Sequence, residues 1–430
     1  MKINTVSTFP RIIKEATKYG IVSNAVKNKL ININHFSLTN DLNQSERIDD
    51  EQYGIEPGMV LSYEKSYGLF KKIKTLNPNT KFIFTSPKGI KLTNDLAMSL
   101  SSEKNITIVC GRYEGYDQRI IDEYCDLEIS IGDYILTGGE LAACVLIDSV
   151  ARMIKGVVGN ENSVKSDSLM NSILKGPVYT RPKIYKGKKV PNILLSGNHE
   201  NIKKYLRETS LAATLNKRED LLENANLSQD EVSQLKSSKK STINKNIYIA
   251  LVHYPIENIK GEIIKTSLTN LDIQDIARSA NTYGINKYFI THPVKEQRML
   301  AEKVIKYWSN EKVRKNDNTK HSSINKIIVK NSLNSAIREI KKKHGTKPIT
   351  IATDARMVHN MTSYSTLRDR ILNIDEPVLI IFGTGWGLPK NTLESADCIL
   401  KPVGGYHEYN HLSVRSAVAI ILDRLLGCKF

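Results

Sequence analysis

A chain of 430 residues, 40% of them hydrophobic, has room for two or three globular domains. No run of about 18 apolar residues occurs, which excludes a transmembrane helix, and the start, MKINTVSTFPRIIKEA, lacks the apolar core of a secretory signal. A cytoplasmic protein with no membrane partner is expected. The net charge of +17 sits almost wholly in residues 161–250 and 301–350, between neutral stretches. Such confinement favours a polyanionic partner over the plainer reading of a solvated lysine-rich surface. Cys110, Cys125, Cys144, Cys398 and Cys428 form no Cys-x-x-Cys pair. They suit buried thiols in a reducing compartment, and no metal site is expected.

Residues 2–8 read as a strand, Ile12 to Tyr19 as a helix, and Lys27 to Ile33 as a second strand. Residues 40–60 are too polar for a core and too long for a tight turn, so they form a candidate functional loop containing Asp49 and Asp50. Lys81–Thr85 is a strand, followed by a turn signal, Ser86-Pro87-Lys88-Gly89. The apolar run Ile106–Val109 meets Gly111-Arg-Tyr-Glu-Gly115. A further apolar stretch reaches Ile131 and the glycine loop ending at Gly138-Gly139. A helix from Glu140 to Ile154 then carries Arg152. Strands alternating with helices indicate an α/β domain with a mostly parallel sheet, which binds ligands beyond the carboxyl ends of its strands. Those ends are Thr85–Pro87, Cys110–Gly115 and Ile131–Gly139, and their glycines let bare backbone approach a ligand.

Residues 156–180 read as a linker. Residues 180–190 are basic with an interleaved tyrosine, and a helix over about 200–216 carries Lys203, Lys204 and Arg207. Another helix covers about 228–236. Together 161–240 read as a linker and a small helical module with a basic face, and 236–245 has a linker's composition. A second α/β unit starts at Asn246. Its expected elements are a strand at 246–254, a helix from Asn270 to Tyr283, and a strand Lys287–Thr291 ending at His292-Pro293. A basic, largely helical stretch over 301–348 follows. Strands Ile349–Thr353 and Val378–Phe382 come next, the latter ending at Gly383-Thr-Gly-Trp-Gly-Leu-Pro389, then Asp397–Pro402 and a helix from Leu412 to Leu426. Asp133-Tyr-Ile-Leu136 and Asp397-Cys-Ile-Leu400 give the two units a faint internal echo. A P-loop is excluded, and the dinucleotide fingerprint is missing after the first strand. Taken alone, Gly383–Gly387 is as readily a tight strand-to-helix turn as a ligand loop.

GRYEG at 111–115, IGDYILTGGE at 131–140, IDSVARMIKGVVG at 147–159, SDS at 166–168, YTRP at 179–182 and LLSGNH at 194–199 occur in this order between STFP at 7–10 and LLEN at 221–224. In order and spacing this resembles the bacterial tRNA (guanine-N1)-methyltransferases, the TrmD family of the SPOUT superfamily, over about the first 240 residues. The resemblance implies two SPOUT α/β domains, 1–160 and 246–430, with trefoil-knotted and mostly parallel sheets, a topology exceptional among folds, and the helical module between them. It implies an S-adenosylmethionine-dependent enzyme, releasing S-adenosylhomocysteine and forming 1-methylguanosine at position 37 of tRNA, with its active site completed across a homodimer. Thr85, Ser86, Pro87, Gly111, Tyr113, Glu114, Gly115, Ile131, Gly132, Tyr134, Leu136, Gly138 and Gly139 would wrap the cofactor; a plain core role for Tyr134 and Leu136 is the alternative.

Removal of the guanine N1 proton calls for a base. Asp167 matches the family's base, against the plainer reading of a helix cap before SLMNSIL. Arg152 matches the arginine that would steady charge on the guanine oxygen. Asp50, Pro57, Gly58 and Met59 match the loop beside the target base, where Ile55 and Glu56 replace two family glycines and imply a stiffer loop. Lys203, Lys204 and Arg207 would grip the tRNA backbone. From 246 on the chain is similar to a second SPOUT domain, with His292, Pro293, Gly383, Gly385, Gly387, Leu400 and Leu412 as its implied cofactor shell. Arg278, His407 and His411 are candidate bases there, each also readable as structural. This domain is expected either to modify a second, unidentified RNA or to bind RNA without catalysis. A magnesium ion has no signature in the sequence.

Overall fold

A computed structural model of the chain describes residues 1–40, 46–159, 167–242, 244–309 and 322–430. The expected boundary at 160/161, Lys165 and Ser166 before Asp167, residue 243 of the 236–245 linker, and 310–321 of the basic stretch lie outside the described residues. The chain divides into two compact units, Met1–Asn226 and Leu227–Phe430.

The first unit is built on a five-stranded sheet from β1 (Lys2–Ser7), β2 (Asn32–Ser37), β5 (Lys81–Lys91), β6 (Asn105–Cys110) and β7 (Leu127–Ser130), in the order β2-β1-β6-β5-β7. Every pairing is parallel. Both faces are covered: β6 reads as an almost unbroken apolar run, and β1 is buried from Ile3 to Ser7 although Asn4, Thr5 and Ser7 are polar. Helices α1 (Pro10–Ala16), α2 (Gly20–Lys27), α4 (Asn94–Ser101) and α6 (Glu140–Ala151) share one core through Ile13, Val22, Leu100 and Leu146. Helices α3 (Tyr63–Leu76) and α5 (Gln118–Tyr124) share the other through Phe70, Ile73 and Ile120. Two expectations need correcting. Residues 20–27 are helical, so the second strand begins at Asn32 rather than near Lys27. Ser86–Gly89 is a bulge rather than a turn. The strand β5 continues to Lys91, with its register on β7 shifting between Thr85 and Ile90. A side chain at Gly89 would overlap the Glu128–Ile129 backbone, so only glycine permits this approach.

Residues 49–61 fold back as an antiparallel hairpin of β3 (Asp49–Glu51) and β4 (Met59–Leu61). Beyond α6, a hairpin of β8 (Ile184–Tyr185) and β9 (Lys188–Lys189) precedes a helix at His199–Lys217, capped by Asn198.

The second unit repeats the α/β logic on a seven-stranded, wholly parallel sheet. Its strands are β10 (Ile247–Val252), β13 (Lys287–Thr291), β14 (Ile327–Lys330), β15 (Ile349–Thr353), β16 (Met361–Thr362), β17 (Val378–Gly383) and β18 (Cys398–Leu400), ordered β14-β13-β10-β17-β15-β18-β16. A small antiparallel pair, β11 (Ile256–Glu257) and β12 (Ile263–Ile264), follows β10. The helices Asn270–Thr282, Tyr364–Leu372 and Val414–Leu426 pack on one face, and Leu333–His344 on the other. The stretch expected to be largely helical over 301–348 contains β14, whose apolar Ile-Ile-Val pairs with β13. The echo of Asp133–Leu136 in Asp397–Leu400 does not survive in three dimensions. The first segment is a loop, whereas Asp397 binds Thr350 at the start of β15 and Leu400 ends β18 in the core.

Candidate active site

The bulge of β5 and the carboxyl ends of β6 and β7 open onto one cleft of about 550 Å³, within the usual range for a cofactor pocket. Its walls are that bulge and two loops. They hold every residue expected from the sequence for a first-unit cofactor site: Thr85–Pro87, Gly111 with Tyr113–Gly115, and Ile131, Gly132, Tyr134, Leu136, Gly138 and Gly139. The two loops are zipped together. The Gly139 N–H donates to Gly111 O at 2.8 Å, and Arg112 bridges Gly138. A Cβ on Gly139 would overlap Thr85 Oγ1 and come within 3.0 Å of Cys110 Cα and Gly111 N, so the two loops meet only because this residue has no side chain. Thr85 in turn donates to Val109 O at 3.1 Å.

Sequence reasoning missed the keystone beneath this zipper. Glu140, 2% exposed, opens α6 and accepts from Ser7 Oγ at 2.8 Å and Arg112 Nη1 at 3.2 Å. The Arg112 guanidinium also lies 4.6 Å from the Phe9 ring centroid. An acid opening an otherwise apolar helix beside Gly-Gly was the available signal, and the Ser-Thr-Phe-Pro motif gains its purpose here. Glu140→Ala leaves Ser7 and Arg112 without their acceptor, and we expect it to cost about 3–5 kcal/mol of first-unit stability, read by chemical denaturation. A loss below about 1 kcal/mol would refute the keystone role.

The cleft suits an adenosine bearing a cationic sulfur. Glycine backbone lines it beside Tyr134 and Leu136. Among the described residues the Glu114 carboxylate, also in its wall, has no ion-pair partner and stands available to a sulfonium or ammonium group. No cluster of His, Cys, Asp or Glu among the described residues would hold a metal ion.

The β3–β4 hairpin is joined directly to the cleft. Glu114 N–H donates to Met59 O at 3.0 Å, Leu61 N–H to Gly115 O at 2.9 Å, and Asp117 N–H to Leu61 O at 3.1 Å. Pro57, Gly58 and Met59 therefore lie where the hairpin meets the cleft wall. Gly58, at φ +149°, faces the Glu114 side chain. Asp50 pairs with Val60 and is exposed. Ile55 and Glu56 belong to the exposed tip, closed by Gln52 Nε2 donating to Glu56 O at 2.9 Å. The two replaced glycines thus change the tip, not the junction with Glu114.

Arg152 and Asp167 are brought together, with Arg152 Nη2 2.5 Å from Asp167 Oδ2, but neither lines the cleft of its own chain. The capping alternative for Asp167 fails, because SLMNSIL forms only a short 3-10 turn, Met170–Ser172, flanked by Leu169. Leu169, Asn171 and Ser172 are all left-handed, which an α-helix does not tolerate. On the His199–Lys217 helix, Lys203 and Lys204 are exposed, whereas Arg207 is half-buried and donates to Asn226 O at 2.8 Å.

In the second unit, Gly383, Gly385 and Gly387 form the loop after β17. A Cβ on Gly383 would sit 2.9 Å from Leu388 N, and the Asp354 carboxylate approaches Gly387, whose φ is +107°. Asp354 holds Arg356, which donates to Leu388 O at 2.9 Å. Leu412 is half-exposed, but Leu400 is fully buried in the core and offers a ligand no side-chain surface. Pro293 O accepts from Arg298. The His292 ring is fully engaged: Nδ1 accepts from Val294 N–H at 3.0 Å, so Nε2 carries the proton and donates to Thr266 O at 3.0 Å. Burial lowers its pKa. His411 packs against Trp386 and Tyr409, and neither it, His407 nor Arg278 is held by a carboxylate among the described residues.

A buried network supports the same loop. Thr384 Oγ1 donates to Val252 O at 3.0 Å and contacts Thr266 Oγ1 at 2.5 Å, and Thr266 Oγ1 also meets His253 Nδ1 at 3.1 Å. Burial, and then His292, push the His253 pKa down to about 4. The unfolded chain therefore binds a proton near pH 6.5 that the folded chain refuses. Stability is unaffected above pH 7 and falls as pH drops from about 6.5 to 4, by about 3 kcal/mol. We expect His253→Gln to remove this acid loss in pH-dependent melting; an unchanged profile would place the loss elsewhere.

Comparison with known proteins is consistent with this geometry. The family model for tRNA (Guanine-1)-methyltransferase TrmD matches residues 1–224, and that for SAM-dependent RNA methyltransferase matches residues 246–427. The tRNA (guanine-N(1)-)-methyltransferase of Nitratidesulfovibrio vulgaris is 35% identical over 430 residues, 99% of each chain. That of Oleidesulfovibrio alaskensis is 35% identical over 428 residues, again 99% of each. A shorter relative of the same name from Buchnera aphidicola is 46% identical over 221 residues, 51% of this chain and 93% of its own. The chain therefore belongs to the tRNA (guanine-N1)-methyltransferase family TrmD, in a form that carries a second, S-adenosylmethionine-dependent RNA methyltransferase domain behind the first.

Proposed function

We propose that the first unit methylates the N1 atom of guanosine 37, 3′ of the tRNA anticodon, in the cytoplasm. The observation that carries this reading is the cleft itself, walled by the glycine loops, with the Arg152–Asp167 pair standing outside it. The cleft of one chain is not lined by its own Arg152–Asp167 pair, and a second copy, as in a homodimer, would supply that pair. S-adenosylmethionine, when bound, supplies an electrophilic methyl group. Thr85–Pro87, the Gly111–Gly115 loop and the Ile131–Gly139 loop would hold it, and the Glu114 carboxylate would offset its positive charge. Asp167 accepts the guanine N1 proton as the methyl arrives. Arg152 orients that carboxylate and meets the negative charge developing on the guanine oxygen. Asp50 and the Pro57–Met59 end of the hairpin flank the base. Lys203 and Lys204 grip tRNA phosphates, with Arg207 tying the helix to Asn226. No step here calls on magnesium.

The glycine loop after β17 and the family match support cofactor binding by the second unit, in a trefoil knot like that of the first. Pro293, Gly383, Gly385, Gly387 and Leu412 border its site, and its substrate is a second RNA. The test is methyl transfer to a tRNA transcript with mapping of the modified nucleotide. Methylation solely at positions other than 37 would sink the assignment. For the shared site, Asp167→Ala protein is mixed with Gly139→Val protein, each inactive alone. Recovered activity is expected, since the hybrid contains one intact site; no recovery would place base and cleft in the same chain.

A further inference from the structure

The opposite edge of the second sheet carries a feature that the methyl-transfer reading does not use. Lys287, Lys326 and Lys245 stand at the amino ends of β13, β14 and β10, three neighbouring strands. Lys343, near the end of the Leu333–His344 helix, reaches the same edge. Neutral acceptors fix three of these ammonium groups. Lys326 Nζ donates to Ile285 O at 2.6 Å and Lys287 Nζ to Asn325 O at 3.2 Å. Lys343 Nζ donates to Tyr248 Oη at 3.1 Å and Asn286 Oδ1 at 3.2 Å, and lies over the Tyr248 ring. Asn286 ties the array together, its side-chain nitrogen donating to Lys245 O at 3.1 Å. Among the described residues, no carboxylate pairs with Lys287, Lys326 or Lys343.

A solvated lysine face keeps its charges mobile and in water. Here burial lowers the Lys326 pKa, and Lys287 and Lys240 lower it further. Positive charge is thus ordered, crowded and partly dehydrated on one edge, an arrangement that costs stability unless a polyanion meets it.

We infer that the amino-terminal edge of the second sheet is a phosphate-binding surface for folded RNA, formed by Lys287, Lys326 and Lys343. The inference rests on the reading that this unit acts on RNA. The Gly383–Gly387 loop lies at the other end of the strands, about 17–20 Å away along five or six residues. Ammonium groups fixed in one arrangement match phosphates that a folded RNA also holds in place, whereas a short single strand has a lower charge density and must be ordered on binding.

The test is lysine acetylation of the full-length protein, read by mass spectrometry, with total bacterial tRNA, fragmented ribosomal RNA or a hexanucleotide. We expect at least one folded RNA to protect Lys287 and Lys343 threefold or more and the hexanucleotide to leave them reactive. Protection of Lys203 and Lys204 with none at Lys287 and Lys343 overturns the inference while leaving the first unit's tRNA reading intact. Protection nowhere, with no methyl transfer, overturns both. For the protecting RNA, the triple variant Lys287→Gln, Lys326→Gln, Lys343→Gln should bind on the order of 500-fold more weakly at 0.1 M salt, with a salt slope shallower by about 2.7. First-unit methylation of tRNA should persist in it. Wild-type affinity and slope in the triple variant also overturn the inference.

Discussion

Asp167→Asn should reduce methyl transfer to tRNA by about 10²–10⁴-fold, the range attributable to one positioned base, while S-adenosylmethionine still binds. The amide retains an oxygen for Arg152, which lies 2.5 Å from the carboxylate, so the local geometry is kept and only proton acceptance is lost. Asn keeps the size of Asp, and in the proposed site residue 167 of one copy faces guanine N1 rather than the cofactor, so cofactor affinity, measured by calorimetry, should be unchanged. Single-turnover rates separate this loss from any change in tRNA release. A variant that keeps the full rate would strip Asp167 of the role. Arg152→Ala should cost about 10²–10³-fold, as removal of one charge-stabilising donor typically does.

Gly139→Ala should act at the other end of the chemistry. The added methyl overlaps Thr85 Oγ1 and presses on the backbone of Cys110 and Gly111, so the two glycine loops must separate and the 2.8 Å bond from Gly139 to Gly111 breaks. Overpacking of this kind costs about 1–3 kcal/mol of stability. We expect cofactor affinity to fall by at least about tenfold, equivalent to about 1.4 kcal/mol. Gly111→Ala is the matched control for folding, since its Cβ meets nothing closer than 3.7 Å. It should melt at or above the wild-type temperature. Equal cofactor affinity in Gly139→Ala and wild type would show that the zipper does not shape the cleft.

The cleft was legible in the sequence because its chemistry is written locally. Gly111–Gly115 and Ile131–Gly139 each directly follow an apolar run, and parallel pairing of β5, β6 and β7 brings both loops beside the β5 bulge. Glu140 was not legible. Its partners, Ser7 and Arg112, lie 133 and 28 residues away, and no periodicity relates them. The bulge at Ser86–Gly89 misled for a similar reason. Proline and glycine announce a turn to local reasoning, yet β7 supplies backbone partners on both sides of the irregularity and keeps the chain extended. In the second unit, His292 drew attention as a chemical group at a strand end. Its two ring nitrogens are consumed by Val294 and Thr266, a pairing across 26 residues on one side that sequence spacing does not reveal.

The three hydrogen bonds that join the β3–β4 hairpin to the Arg112–Asp117 segment have a thermodynamic consequence. On the proposed function, the surface that would meet the target nucleotide and the wall that would meet the methyl donor are hydrogen-bonded to one another. A donor that stiffens that wall and thereby tightens RNA binding by some factor must itself be bound more tightly, by the same factor, when the RNA is in place. The spent donor differs from the fresh one by a methyl group and a positive charge, which the proposed site would set beside Glu114. It need not confer that same factor, so release of the modified RNA is tied through the hairpin to the state of the sulfur.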